Sequence, residues 1–294
     1  MDDLDPRAIL TSLGMPSNAV ATRVSGGWDT SLFRVDARDG RYALRVFRAE
    51  QLEISRREAV VMRTLAGAGL PVPGVRAEGV VDGRPALLLS WCTGRPLFQE
   101  VQARPLGLWR LSVAMGRMHA RIHALPVPDD VVRSLPAWTP RTEDAGPGLR
   151  AWLRSTADAR ISVLHLDYHP LNVMSDSRTI TGVLDWANVA VGDPRADLAR
   201  TITLLRLAPT PPGKPPVALQ LVLRRLLEAG WRRGYAERQA SDPFAGLEPF
   251  YVWAGAMMER DLRPKLGRPG IWLRERDLAR IRRWTVARAE RLRR

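Results

Sequence analysis

Hydrophobic residues recur at two different periods along this chain, short β-type runs first and helical stripes afterwards. Residues 20–24, 31–36 and 42–47 are β-branched or aromatic runs separated by Gly26-Gly27 and Asp39-Gly40, and they predict three strands with a hairpin between the last two. Residues 55–66 then carry Ala59, Met62, Leu65 and Ala66 at helical spacing and stop at Gly67 and Gly69 before Pro71, which predicts a helix. Two more strands are expected near 74–81 and 84–90, joined by Asp82-Gly83.

Past Trp91-Cys92-Thr93-Gly94 the period lengthens. Residues 105–124 place Leu108, Leu111, Met115, Met118 and Ile122 on one helical face. A Pro-rich connection over 125–148 leads to a helix near 149–158, and 179–184 read as an apolar strand. Asp193-Pro194 has the form of an N-cap followed by a first helical proline and predicts a helix through Leu207. After a Pro-rich loop over 208–216, helices near 217–236, 243–262 and 271–293 are expected. The chain therefore reads as α+β, with a sheet lobe over 1–91 and a mostly helical lobe over 92–294.

The composition, 45% hydrophobic and 26% charged over 294 residues, suits a globular protein with a substantial core. Cys92 is the one cysteine, which excludes an internal disulfide and a cysteine-based zinc cluster and fits a reducing compartment. The acidic start Met1-Asp2-Asp3-Leu4-Asp5-Pro6 is unlike a signal peptide, and no apolar run reaches membrane-spanning length, so a cytoplasmic protein without a membrane partner is expected. A net charge of +14 raises the possibility of a basic nucleic-acid-binding protein. Against it, Lys214 and Lys265 are the only lysines and arginine is scattered along the chain. The densest cluster, 274–294, is interleaved with Glu275, Asp277 and Glu290 and carries Leu273, Leu278, Ile281 and Trp284 at near-helical spacing, as a docked helix with a solvated face would.

Candidate chemistry concentrates in His165-Leu166-Asp167-Tyr168-His169-Pro170-Leu171-Asn172, followed thirteen positions after Asn172 by Asp185. The spacing H-x-D-x-x-x-x-N, with a second Asp after an apolar run, is the layout of a phosphoryl-transfer site: one carboxylate for the attacking hydroxyl, Asn and Asp for the metal ions. Asn occurs elsewhere only at 18 and 188. There is no G-x-x-x-x-G-K-[ST] loop and no G-x-G-x-x-G. His119 and His123 have the helical spacing of zinc-protease ligands, but Ala120 stands where that motif needs glutamate, so they read as core histidines. His165-x-Asp167-x-His169 could also be drawn as a metal-hydrolase site, yet no second His/Asp cluster supplies further ligands.

Together these stretches resemble the aminoglycoside phosphotransferase family, the small-molecule branch of the protein-kinase-like fold. Val24-Ser25-Gly26-Gly27, Tyr42-Ala43-Leu44-Arg45-Val46, 165–174 and 183–199 carry the likeness. It implies a two-lobed α+β fold, with a small antiparallel-sheet N-lobe containing one main helix and a larger helical C-lobe. The implied activity is ATP-dependent, or GTP-dependent, transfer of the γ-phosphoryl group to a hydroxyl of a small molecule, with magnesium.

On this resemblance Asp167 is the catalytic base, and Asn172 and Asp185 hold magnesium. His165 supports the loop backbone, His169 shapes the phosphate end of the cleft or is structural, and Asp197 ties the following helix to the loop. Gly26 and Gly27 would let backbone N–H groups approach phosphate, or simply form a turn. Arg45 stands where such kinases usually carry lysine, with Glu58 as its partner, unless it is a solvated strand residue. Ser90, Trp91 and Cys92 match the adenine-reading hinge. Trp253, Met257, Glu259, Asp261 and Trp272 are candidates for the acceptor pocket, and the positive charge of the chain favours a neutral or anionic acceptor. The arginine at 45 also leaves open a nucleotide-binding pseudokinase without turnover.

Overall fold

The computed structural model describes residues 5–24, 30–138, 147–155, 161–209, 217–268 and 273–292. Two compact units emerge: Met1–Gly94 with Thr181–Ala187, and Arg95–Ile180 with Asn188–Arg294.

The first unit contains α1 (Pro6–Ser12), β1 (Val20–Val24), β2 (Ser31–Ala37), β3 (Gly40–Val46), α2 (Leu52–Gly67), β4 (Val75–Val81) and β5 (Arg84–Ser90). The five strands form one antiparallel sheet in the order β1-β2-β3-β5-β4. Val35, Leu44, Ala86 and Leu88 meet Ile9 and Leu10 of α1 in one cluster. By strand alternation Leu87 and Leu89 turn to the opposite face of β5, the strand against which α2 also packs, so this strand reads as a continuous apolar run. The Asp82-Gly83 turn closes β4 onto β5 with both residues at positive φ, 49° and 72°, the geometry of a tight hairpin turn. The short α1 escaped the periodicity reading, although Asp5-Pro6 has the cap form: the Asp5 carboxylate accepts from the Arg7 amide at 2.9 Å.

The second unit contains β6 (Arg95–Pro96), α3 (Leu97–Ala103), α4 (Leu108–Ala124), α5 (Asp129–Ser134), α6 (Pro147–Ser155), β7 (Ser162–Leu164) and β8 (Val173–Ser175). After β9 (Ile180–Val183) come β10 (Ala190–Gly192), α7 (Pro194–Leu207), α8 (Val217–Ala236), α9 (Glu248–Leu262) and α10 (Glu275–Arg291). β7 pairs antiparallel with β10, and β6 with β8. These strands are two or three residues long, too short to show a period. The connection expected over 125–148 carries α5, whose first turn holds Asp129 and Asp130 where the helix dipole favours acids. The helix expected from 243 begins at Glu248 instead, because Gly246 takes φ 68° and Asp242 turns back to bind the Phe244 amide at 2.9 Å. Leu278 and Ile281 of α10 are buried, Ile281 beside Leu207 and Met258, so the basic C-terminal segment docks on the helical body.

α4 and α8 cross closely. A Cβ on Gly234 would lie 2.0 Å from the Val113 carbonyl oxygen, and one on Gly116 2.0 Å from that of Trp231. Alanine in place of a solvent-facing helical glycine stabilises by up to about 1 kcal/mol. Gly234→Ala should do the reverse and lower stability by about 3 kcal/mol, because two backbones would have to separate. Urea denaturation reads the sign; a rise in midpoint would contradict this packing.

Candidate functional site

In the sheet unit, Arg45 on β3 extends between α2 and the end of the 181–187 segment. Its Nη1 donates to Glu58 Oε2 at 2.7 Å, its Nε to Thr30 Oγ1 at 3.2 Å and its Nη2 to Asp185 Oδ1 at 3.1 Å, while the guanidinium lies 5.0 Å from the Phe47 ring centre. The structure thus brings Arg45, Glu58 and Asp185 together. Thr30 was not foreseen; it lies close after the Gly pair in sequence and carries no periodic signal. Asp185 adopts φ 63°, a conformation that costs energy for a non-glycine residue and is typical of functional turns. Its side chain is 45% exposed, and its Oδ2 accepts nothing among the described residues.

Glu58 is 1% exposed, and its Oε1 has no hydrogen-bond partner among the described residues. Burial raises its pKa to about 7; the Arg45 charge opposes this and the Asp185 charge adds to it. In the folded state Glu58 therefore holds a proton where the unfolded chain has lost it. The associated stability is complete below about pH 4.5 and is lost as pH rises through about 7. The loss is on the order of 3 kcal/mol. Glu58→Gln should flatten this decline, checked by chemical denaturation at about pH 5 and about pH 8; an unchanged slope would place the titrating group elsewhere.

At the proposed hinge, Ser90 locks the sheet edge: its amide donates to the Gly74 carbonyl, and its Oγ accepts from the Gly74 amide, both at 2.8 Å. The Trp91 amide donates to the Arg41 carbonyl at 3.2 Å. Cys92 is partly buried, and burial pushes its thiol up to about 11, so it is not a reactive thiolate. Gly26, Gly27 and Trp272 lie outside the described residues.

In the helical unit, the 165–172 loop hangs on one buried carboxylate. Asp197 Oδ2 accepts from the His165 amide at 2.6 Å, and Oδ1 accepts from the Leu166 amide at 2.9 Å. His119 Nε2 and His123 Nε2 reach Oδ2 at 3.1 and 3.2 Å, and the ionised carboxylate can only accept, so both Nε2 atoms carry protons. His123 Nδ1 then accepts from Tyr235 Oη at 2.8 Å. Burial pushes the Asp197 carboxyl up, but the adjoining His119 and His123 outweigh it and hold the group well below the usual carboxylate range. His119 is held neutral, down to about 4, by burial and by His123, against the pull of Asp197. Although these three side chains cluster closely enough to hold a metal ion, their facing atoms already bond one another and the loop amides.

Leu166 takes φ 59°, and Arg200 donates to its carbonyl from Nε at 3.2 Å. The strained turn presents Asp167 with 22% of its side chain exposed. Asn172 Nδ2 donates to the Asp167 carbonyl at 3.0 Å and to Asp167 Oδ2 at 3.1 Å, which fixes the nitrogen toward the loop and leaves Oδ1 without a partner among the described residues. His169 Nδ1 accepts from the Leu171 amide at 3.3 Å, so the neutral ring carries its proton on Nε2, 3.5 Å from Asp167 Oδ2. His165 Nδ1 accepts from the Asp167 amide at 3.2 Å. Burial raises the Asp167 carboxyl, but His169, with Arg200 and His165 beyond it, brings it far below the usual range. Arg200 was missed in the sequence, although it lies one helical turn from Asp197 on the same face of α7.

The acceptor candidates sit differently. Trp253 is fully buried edge-on to Trp138 at 5.2 Å, and Met257 is 2% exposed. Glu259 is paired with Arg263 and with Arg282, the latter at 2.8 Å, and Asp261 bridges Arg200 and Arg260 at 3.1 Å each. Among the described residues no helix is long and apolar enough to cross a membrane.

Comparison with known proteins bears on both units. A model of the family described as the phosphotransferase enzyme family matches residues 20–241. A stretch of 171 residues is 26% identical to acyl-CoA dehydrogenase family member 10 of Mus musculus, covering 49% of this chain and 16% of that protein's length. Among solved structures, a Ralstonia eutropha JMP134 protein provisionally assigned as an aminoglycoside phosphotransferase is 19% identical with a TM-score of 0.69, over 97% of this chain and 96% of the other. A thermostable variant of aminoglycoside phosphotransferase APH(4)-Ia, in ternary complex with AMP-PNP and hygromycin B, is 17% identical with a TM-score of 0.67, over 98% of each chain. At these identities the likeness establishes the fold, a two-lobed kinase-like α+β architecture.

Proposed function

Because the chain belongs to the phosphotransferase enzyme family, matched from residue 20 to residue 241, we propose that it transfers the γ-phosphoryl group of ATP to a hydroxyl of a small molecule. GTP is the alternative donor. The observation that carries this reading is the Asp167–Asn172 contact, at 3.1 Å, on a loop anchored through Asp197. Phosphoryl transfer proceeds through a loose transition state and asks of the protein mainly positioning and charge stabilisation. A carboxylate held far below the usual range suits such chemistry, since Asp167 stays ionised at working pH, orients the acceptor hydroxyl and takes its proton late.

Asn172 and Asp185 are each proposed as oxygen donors to magnesium, which when bound neutralises charge on the phosphates. The donor set fits, since Asn172 Oδ1 and Asp185 Oδ2 are hard oxygens uncommitted among the described residues. Arg45 would hold the α and β phosphates with Glu58 behind it, and Ser90, Trp91 and Cys92 would meet the adenine edge. The acceptor is proposed as neutral or anionic, because Glu259 and Asp261, the acids that could have met a cation, already face arginines. A pseudokinase is the second reading. It is favoured by Arg45 standing in place of lysine and bonding Asp185 itself.

A nucleotide-consumption screen against amino sugars, macrolides, amino alcohols and sugars separates the two, since a pseudokinase consumes nothing with any of them. With an acceptor in hand, Asp167→Asn should lower turnover by about a thousandfold while nucleotide still binds; wild-type-like turnover would sink the mechanism. Arg45→Ala should raise the Michaelis constant for nucleotide, and Asp185→Ala should remove the magnesium dependence of nucleotide binding. An unchanged Michaelis constant in the first would mean that Arg45 does not contact the phosphates.

A further inference from the structure

A cavity of about 350 Å³ in the helical unit has no part in the reaction described above. It is lined by Arg206 of α7, Arg232 of α8, Arg288 of α10, and Phe244, Glu248 and Tyr251 at the entry to α9. Arg206 follows Asp197 by nine residues on α7. That is about two and a half helical turns, so it leaves the helix on the face opposite the one that holds the 165–172 loop.

Three guanidinium groups from three helices meet here, and each is already oriented. Arg232 lies 4.4 Å from the Phe244 ring centre, and Arg288 lies 4.9 Å from that of Tyr251 and 5.2 Å from that of Trp284. Arg206 makes a two-pronged pair with Glu228, at 2.7 and 2.6 Å. Stacking and pairing fix these planes before any ligand arrives, which lowers the ordering cost of binding. Donors remain. Each guanidinium has five N–H groups, of which Arg206 and Arg232 use two each and Arg288 one.

The charge does not balance. Three arginines face two acids, Glu228, shared by Arg206 and Arg232, and Glu248, the one acid in the lining, which leaves an excess of one positive charge. A carboxylate matches the fork of a single arginine, whereas a phosphate monoester offers three terminal oxygens and nearly two charges, which three guanidiniums can share. We propose that this cavity binds a phosphate group, either free or borne by a phosphorylated small molecule, at a site separate from phosphoryl transfer. Glu248 is its internal competitor: Oε1 occupies Arg288, and Oε2 is buried without a partner among the described residues.

The test is calorimetric titration of the full chain with inorganic phosphate and, separately, with glucose 6-phosphate, at constant ionic strength against a chloride control. Arg288→Gln should weaken binding roughly tenfold, whereas Glu248→Gln should tighten it, a gain that a misfolded variant cannot imitate. Arg45→Ala should leave it unchanged, which separates this cavity from the nucleotide site and from the fate of the phosphotransfer reading. Tighter binding of the sugar phosphate would identify a phosphomonoester as the natural occupant, and equal affinity the free ion. The proposal is overturned if phosphate binds no better than chloride, if Arg288→Gln leaves affinity unaltered, if Glu248→Gln weakens binding, or if Arg45→Ala abolishes it.

Discussion

A carboxylate with no exposure to water organises the helical unit. Asp197 accepts two backbone amides from the 165–172 loop and two imidazole N–H groups from α4. An ion buried so deeply would be costly without compensating donors, and here four converge on it, three on Oδ2 and one on Oδ1. Leaving any of them unpaired in the interior costs about 1–3 kcal/mol. The loop is thereby held in the strained turn at Leu166 that presents Asp167, while Arg200 fixes the same turn through its carbonyl. Chemistry that relies on positioning needs such a support.

In the sheet unit the corresponding constraint is the Arg45–Glu58 pair. Lysine at this place would offer a mobile point charge; arginine offers a planar fork that bonds Thr30, Glu58 and Asp185 at once. Glu58 needs that partner, since burial alone drives its carboxyl toward the neutral form. The same arginine chemistry runs through the rest of the chain, where arginines pair with acids as in Arg206–Glu228 and Arg117–Glu237, and the net charge of +14 is the excess of arginine and lysine over acids that such pairs leave.

How much of this was legible depended on whether a feature was local. The five sheet strands and α2 announce themselves by period and by Asp-Gly turns, and Asp193-Pro194 marks α7 to the residue. The proposed roles of Asp167, Asn172 and Asp185 rest on a spacing set within one loop and the strand that follows, which the sequence displays directly. The supports were not. Arg200, Thr30 and the contribution of Tyr235 depend on contacts between distant segments, and His119 and His123 read only as core histidines because nothing in their own helix names the carboxylate they meet. The burial of Trp253 was not legible either: an aromatic residue in a helix has the same appearance in sequence whether it lines a pocket or fills a core.

Hydrogen exchange on the Asp197→Asn variant tests most directly whether this carboxylate sets the loop. An asparagine keeps the volume but offers one acceptor oxygen in place of two. If Asp197 is the anchor, at least one of the His165 and Leu166 amides, which donate to its two oxygens at 2.6 and 2.9 Å, loses its protection in the variant while the α2 amides keep theirs. Unchanged protection at His165 and Leu166 would contradict that role.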